Sequence, residues 1–216
     1  IVVNAPQSKV QLVLDNAEIN SPDQPAILAE SSDKLFITTA EGSENTLTSG
    51  ADSAEFACIF SRDSITLNGL GRLNIAAKSS DGIHSKDDIV ITGGEISVDA
   101  LLDGVKGKDY VAVCGGELTI KSGEDGIKST NAEDPAAGFI YIEGGNFAIT
   151  SGNDGFQAET DLVVTGGDFD ITAGGGADNS TKVHTDDFGG GFGGFNKGER
   201  PDGFKKGDKN IPDDLD

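Results

Sequence analysis

From Asp81 onward apolar and polar residues alternate in short bursts, and the bursts recur. The stretch "DGIHSKDDIVITGGEISVDALL" (Asp81 to Leu102) is followed by "DGVKGKDYVAVCGGELTIKSGE" and then by "DGIKS". Asp-Gly returns at Asp81, Asp103, Asp125 and Asp154, and Gly-Gly at Gly93, Gly115, Gly144 and Gly166. The repeat is 22 residues long, and the third copy carries a seven-residue insertion, "AEDPAAG", from Ala132 to Gly138. Aligned copies share five apolar columns: Ile83/Val105/Ile127/Phe156, Ile89/Val111/Ile140/Leu162, Ile91/Val113/Ile142/Val164, Ile96/Leu118/Phe147/Phe169 and Val98/Ile120/Ile149/Ile171. Period two predicts strands with every second side chain turned inward. Three strands this short bury their inner faces only when successive coils stack and equivalent side chains form columns. The pattern therefore predicts an all-β, right-handed parallel β-helix (a solenoid), with three short strands per 22-residue coil. The hand follows from the usual hand of parallel crossovers.

Weaker copies extend the coil towards the N-terminus. "SRDSITLNGLGRLNIAAK" matches the second and third strands with one extra residue before Arg72, and "PAILAESSDKLFIT" matches the first two. "KVQLVLD" would open the solenoid, giving about seven coils over residues 1–176. After Gly174 the alternation stops, and residues 177–216 read as a Gly/Phe-rich, partly disordered tail or linker. The insertion in the third copy is expected to protrude as a loop beside an acidic corner. A first residue other than methionine reads as a trimmed piece of a longer protein, and no apolar run reaches membrane-spanning length.

Charge changes the picture. With 37 acidic and 16 basic residues the net charge is −21, which excludes a general binder of nucleic acid or anionic membrane and suits a protein that collects cations. Cys58 and Cys114 are far apart and form no metal-binding motif. The Asp-Gly positions are the informative ones. Any one of them serves as a turn, with Asp capping its backbone and Gly taking positive φ. Stacked, however, the four aspartates lie about 4.8 Å apart. They then repel by roughly 1 kcal/mol per pair in water, and about 3–4 kcal/mol where solvent is partly excluded. Four Asp and no Asn requires something positive on the column. Glu124 and Asn153 precede Asp125 and Asp154, Asp87 and Asp109 follow Asp81 and Asp103 by six residues, and Asp88 stands next to Asp87. Oxygen ligands in such number, without His or Cys, point to Ca²⁺. The expected metal set is Asp81, Asp87, Asp88, Asp103, Asp109, Glu124, Asp125, Asn153 and Asp154.

Beside the acids, alternation places His84, Lys106, Lys128 and Gln157 in an outward row, flanked by Lys86 and Lys108. Lysines there keep a strand face soluble; their concentration beside the acids also makes Lys86, Lys106, Lys108 and Lys128 candidates for binding an acidic ligand. Tyr110 and Tyr141, the only tyrosines, are candidate sugar contacts, and the absence of Trp argues against an aromatic platform for neutral glucans. Both histidines are expected to be solvated surface.

The repeated "SDGIHSKDDIVITGGEISV" and its continuation "DGIKS…IYIEGGNFAITSGNDG" resemble a bacterial extracellular carbohydrate-binding β-helix family, over about Ala26 to Gly176. The resemblance implies bound calcium, display at the cell surface, and affinity for pectic polymers such as polygalacturonate, with cellulose as a second candidate. It implies a fold similar to that of pectate lyases, including polysaccharide lyase family nine. In those enzymes carboxylates hold Ca²⁺ and a basic residue abstracts a proton, a role near which Lys106, Lys108 or Lys128 would stand. No arginine lies between Arg72 and Arg200 to clamp a uronate. Three readings stay open: a non-catalytic, calcium-dependent binder of acidic polysaccharide, a pectate lyase, and a calcium-stapled structural solenoid.

Overall fold

The alternating bursts do form strands, and the strands stack. A computed structural model describes residues 1–50 and 57–174. Its 21 strands lie in three seven-stranded sheets in which all pairings are parallel, and there is no helix among the described residues. Each coil contributes one strand to each sheet, so seven strands per sheet mean seven coils of a parallel β-solenoid.

The register is the one the repeat predicts. Ile83 pairs with Val105, Val105 with Ile127 and Ile127 with Phe156. The second sheet stacks Ile89, Val111, Ile140 and Leu162, and the third stacks Ile96, Leu118, Phe147 and Phe169. In the first three of these coils all five columns are buried. The extra residue before Arg72 is also there: Leu67 pairs with Ile91, but Arg72 with Glu95.

Near the N-terminus the structure adds strands that alternation does not reveal. The opening strand is Val2–Asn4, ahead of Lys9–Leu14, and Glu18–Ser21 and Glu44–Ser49 extend the third sheet. Asn45 explains why Glu44–Ser49 is hard to read, because a polar residue occupies a core column opposite Leu73. It is fully buried but satisfied: Nδ2 donates to the Arg72 carbonyl at 3.0 Å and Oδ1 accepts the Ala17 amide at 2.9 Å. A buried amide with its bonds made costs little.

The Asp-Gly glycines need a correction. Positive φ belongs to the second residue of each Gly-Gly, such as Gly116 at 106°, not to Gly82, Gly104, Gly126 or Gly155. At the Asp-Gly step what matters is room: a Cβ on Gly104 would lie 2.6 Å from the Gly126 carbonyl oxygen and 2.5 Å from Ile120 Cγ2. Glycine is there to let one coil settle on the next. The predicted tail, 177–216, lies outside the described residues.

Candidate functional site

Close stacking at Asp-Gly sets the spacing of the acidic column. Each aspartate bonds the coil after it: Asp81 Oδ1 accepts the Asp103 amide at 3.1 Å, and Asp103 and Asp125 accept the amides of Asp125 and Asp154 at 3.0 Å. Backbone bonding uses one oxygen and leaves the other for charge. Lys106 Nζ lies 2.8 Å from Asp103 Oδ2 and 3.5 Å from Asp81 Oδ2. Lys128 Nζ lies 2.7 Å from Asp125 Oδ2 and 3.8 Å from Asp103 Oδ1, and His84 Nδ1 is 3.1 Å from Asp81 Oδ2. Each lysine thus spans two coils. Asn could accept the amide equally well, but its NH₂ would then face an ammonium with no charge to offer it.

The column therefore carries positive charge supplied by the chain itself. Asp81, Asp103 and Asp125 are buried and engaged on both sides, and an ion bound there would have to displace the lysines. His84 is not solvated surface: it is 8% exposed, paired with Asp81, and meets Phe60 edge-on at 5.4 Å. Lys106 and Lys128, expected to point outward at a ligand, fold back onto the carboxylates.

Titration follows from this packing. Burial alone would raise the Asp81 carboxyl, but the hydrogen bond to His84 and the Lys106 ammonium outweigh it and hold it below the ordinary value. Burial alone would lower Lys106, but its hydrogen bond to Asp103 and the charges of Asp81 and Asp103 hold it above the ordinary ammonium value. Lys128 is raised in the same way, chiefly by Asp125. Both stay protonated at neutral pH, so neither is fit to abstract a proton there.

One corner further on, the acids are arranged differently. Asp109 Oδ1 accepts from Asn131 Nδ2 at 2.6 Å, and the Ser64 hydroxyl reaches Asp87 Oδ2 at 3.0 Å and also Asp88 Oδ1. Asp109 stacks on Asp87, its amide donating to the Asp87 carbonyl at 3.0 Å, so the two carboxyls are near enough to act on one another. Burial, then this contact, pushes Asp87 up to about 6. Lys86 and Lys108 stand exposed beside the pair, with Lys86 Nζ 6.0 Å from the Phe60 ring centroid. Tyr110 stacks on Phe139 at 5.0 Å and 7°. The insertion leaves from this corner: Asn131 Oδ1 accepts the amides of Glu133 and Asp134 at 3.0 Å, and residues 132–136 are exposed.

The remaining predicted residues are not gathered here. Tyr141 sits in the second sheet, in a row with Ala112 and Val163 and not with Tyr110. Glu124 is half-buried and accepts the Asn153 amide at its carbonyl, while Asn153 and Asp154 are exposed. Among the described residues no three His, Cys, Asp or Glu side chains converge as a ready-made metal cage.

Asp87 gives a pH prediction. Its raised value means that the folded state binds this proton more tightly than the unfolded chain. Its contribution is thus favourable in acid and is lost as pH rises from about 4 to 6. In divalent-free buffer, Asp87→Asn should become progressively more stable than the parent across that window, by about 1 kcal/mol at pH 7 once solvent screening is allowed for. Parallel thermal melts at pH 4 to 7 check this; a difference that does not grow with pH contradicts it.

A parallel solenoid carrying an internal charge ladder and a mixed-charge corner presents an extended lateral face. Residues 1–194 match the carbohydrate-binding domain-containing protein family, and the chain belongs to it. A carbohydrate-binding domain-containing protein of Acetivibrio thermocellus is 38% identical over 97 residues, which is 41% of this chain and 34% of that protein. The match thus spans about a third of that relative's length. Among solved structures, a polysaccharide lyase-like protein from C. thermocellum, studied as a gadolinium derivative, is similar. It shows 33% identity and a TM-score of 0.70, with 80% of this chain and 77% of that chain covered.

Proposed function

We propose that this chain is a non-catalytic module that binds an acidic plant polysaccharide, polygalacturonate or pectin, with the help of Ca²⁺ at the cell surface. One observation carries the reading: Asp87 and Asp109 stacked on successive coils, the Asp109 amide on the Asp87 carbonyl at 3.0 Å, and flanked by exposed Lys86 and Lys108. Two neighbouring carboxyl groups favour a cation between them. The oxygens nearby are all hard ones, from Asp87, Asp88, Asp109 and the Ser64 hydroxyl, which fits Ca²⁺ and not a softer metal. An ion held there would be shared with carboxylates of the ligand, since Ca²⁺ takes six to eight oxygens. That is how a chain of net charge −21 can hold a polyanion, with Lys86 and Lys108 adding local positive potential.

Calorimetric titration with polygalacturonate tests this. The parent should bind only with Ca²⁺, more weakly as salt rises, and should prefer de-esterified to methyl-esterified polymer. Asp87→Asn with Asp109→Asn should lower affinity by at least about tenfold, or 1.4 kcal/mol. Binding that survives chelation, or a preference for neutral glucan, would overturn the ligand class. The lyase reading rests on the resemblance to pectate lyases and on the similar fold of a polysaccharide lyase-like protein. The protonated state of Lys106 and Lys128 counts against it, and formation of unsaturated product absorbance would restore it.

A further inference from the structure

The corner that carries Asp87 and Asp109 also carries a row of cations. Ser61, Ser85 and Gly107 stand in register on the third, fourth and fifth coils, and the residue after each is basic: Arg62, Lys86 and Lys108. The backbone ladder runs on through the row. The Lys86 amide donates to the Ser61 carbonyl at 2.9 Å, and the Lys108 amide to the Ser85 carbonyl at 3.1 Å. Their Cα atoms are therefore one coil apart, about 4.8 Å. All three residues are exposed. The next residue in each coil is acidic, Asp63, Asp87 and Asp109, so a basic–acidic dipeptide recurs three times at one corner.

Neither charge is needed to turn the corner. The sixth coil turns it with Thr130 and Asn131, and the Thr130 amide still donates to the Gly107 carbonyl at 3.2 Å. Nor do the two columns pair with each other. Asp63 Oδ2 accepts the Ser32 amide at 2.9 Å, Asp87 Oδ2 the Ser64 hydroxyl at 3.0 Å, and Asp109 Oδ1 the Asn131 side-chain amide at 2.6 Å. Among the described residues no ion pair reaches Arg62, Lys86 or Lys108, whereas Lys106 and Lys128 each span two aspartates. Like charges one coil apart repel by roughly 1 kcal/mol per pair in water. On the aspartate column lysines of the chain offset that repulsion; on the cation row no described residue does.

We propose that Arg62, Lys86 and Lys108 bind one polyuronate chain lying parallel to the solenoid axis, with successive carboxylates against successive coils. This rests on the reading of the module as a binder of acidic polysaccharide, and adds to it a direction, a length and Arg62. Direction follows from the width of the row. Ser or Gly precedes each cation and Asp follows it, so positive charge continues only from coil to coil. Length follows from where the row stops. Glu30 comes after Ala29, which pairs with Ser61, and Thr130 comes after Ser129, which pairs with Gly107. Three cations thus meet three acidic groups. A polyuronate carries one carboxylate per sugar ring, and a ring with its link is of the same order of length as one coil step. Arg62 offers its carboxylate two parallel N–H donors, which a lysine cannot.

Calorimetric titration of the full chain with galacturonate oligomers of two to six units, in Ca²⁺, tests the row. Affinity should climb steeply from two units to three and gain less with each unit added beyond. Arg62→Gln should lower the affinity for the trimer and the hexamer by about threefold or more. Lys121→Gln removes the same charge from the third sheet, away from the row, and should bind as the parent does. Both positions are exposed, so both variants should melt with the parent. An Arg62→Gln variant that loses no more affinity than Lys121→Gln, or an affinity that grows evenly with every unit, overturns the row and leaves the polysaccharide reading in place. A parent that binds neither oligomer nor polymer overturns both.

Discussion

Lys106→Met is expected to destabilise the protein by about 3–5 kcal/mol, because it strips the main counter-charge from a carboxylate with no exposure to water. In a domain of this size that corresponds to a fall of roughly 6–20 °C in Tm. Asp103 would keep its bond from the Asp125 amide, at 3.0 Å, but its nearest remaining cation is Lys128, 3.8 Å from Oδ1. Lys108→Met, two residues on at an exposed position, should stay within about 0.5 kcal/mol of the parent. The pH dependence sharpens the test. Asp81, held below the ordinary carboxylate value, stabilises the fold above pH 4 or so and loses that contribution as pH falls through its folded pKa. Lys106 and Lys128, held above the ordinary ammonium value, contribute at neutral pH and lose it only in strongly alkaline solution. Lys106→Met also takes a cation from Asp81, whose lowered value depends on it, so the deficit should shrink towards acid pH. Equal stability of Lys106→Met and Lys108→Met at pH 7 would show that the ladder is ornamental.

Stacked aspartates need positive charge beside them, and Lys106 and Lys128 of the chain stand there. Alternation does not reveal this, because it reports only the direction of a Cα–Cβ bond. Val105 points in, so Lys106 points out, but the four-carbon stem lets the ammonium travel back to the corner it left. His84 misleads in the same way, since an outward Cβ still ends in a buried ring against Phe60. The coil itself was legible because each of its five columns repeats an apolar side chain every 22 residues. It became illegible where Asn45 replaced an apolar residue with a hydrogen-bonded one. At the candidate site the Asp87 and Asp109 positions were readable from their six-residue offset. The closeness of their carboxyls was not, because it depends on how tightly one coil sits on the next.

That tightness is set at the glycine of Asp-Gly, and Gly104→Ala is expected to cost about 3 kcal/mol or more. The new Cβ would lie 2.6 Å from the Gly126 carbonyl oxygen, which already accepts the Val105 amide at 3.0 Å. It would also lie 2.5 Å from Ile120 Cγ2, a methyl group of the core. Neither neighbour can yield alone: moving the carbonyl breaks a ladder bond, and moving Ile120 disturbs the column of Val98 and Ile149. Gly115→Ala is the control, because glycine recurs there just as regularly. Its Cβ meets nothing closer than the Thr92 carbonyl oxygen at 3.5 Å, and its φ is not positive. That substitution should be neutral or stabilise by up to about 1 kcal/mol, through the entropy removed from the unfolded chain. Urea midpoints of the two variants decide the matter. If Gly104→Ala unfolds no more easily than Gly115→Ala, close approach is not why the coil restarts on Asp-Gly, and the spacing that brings Lys106 within reach of two carboxylates must have another cause.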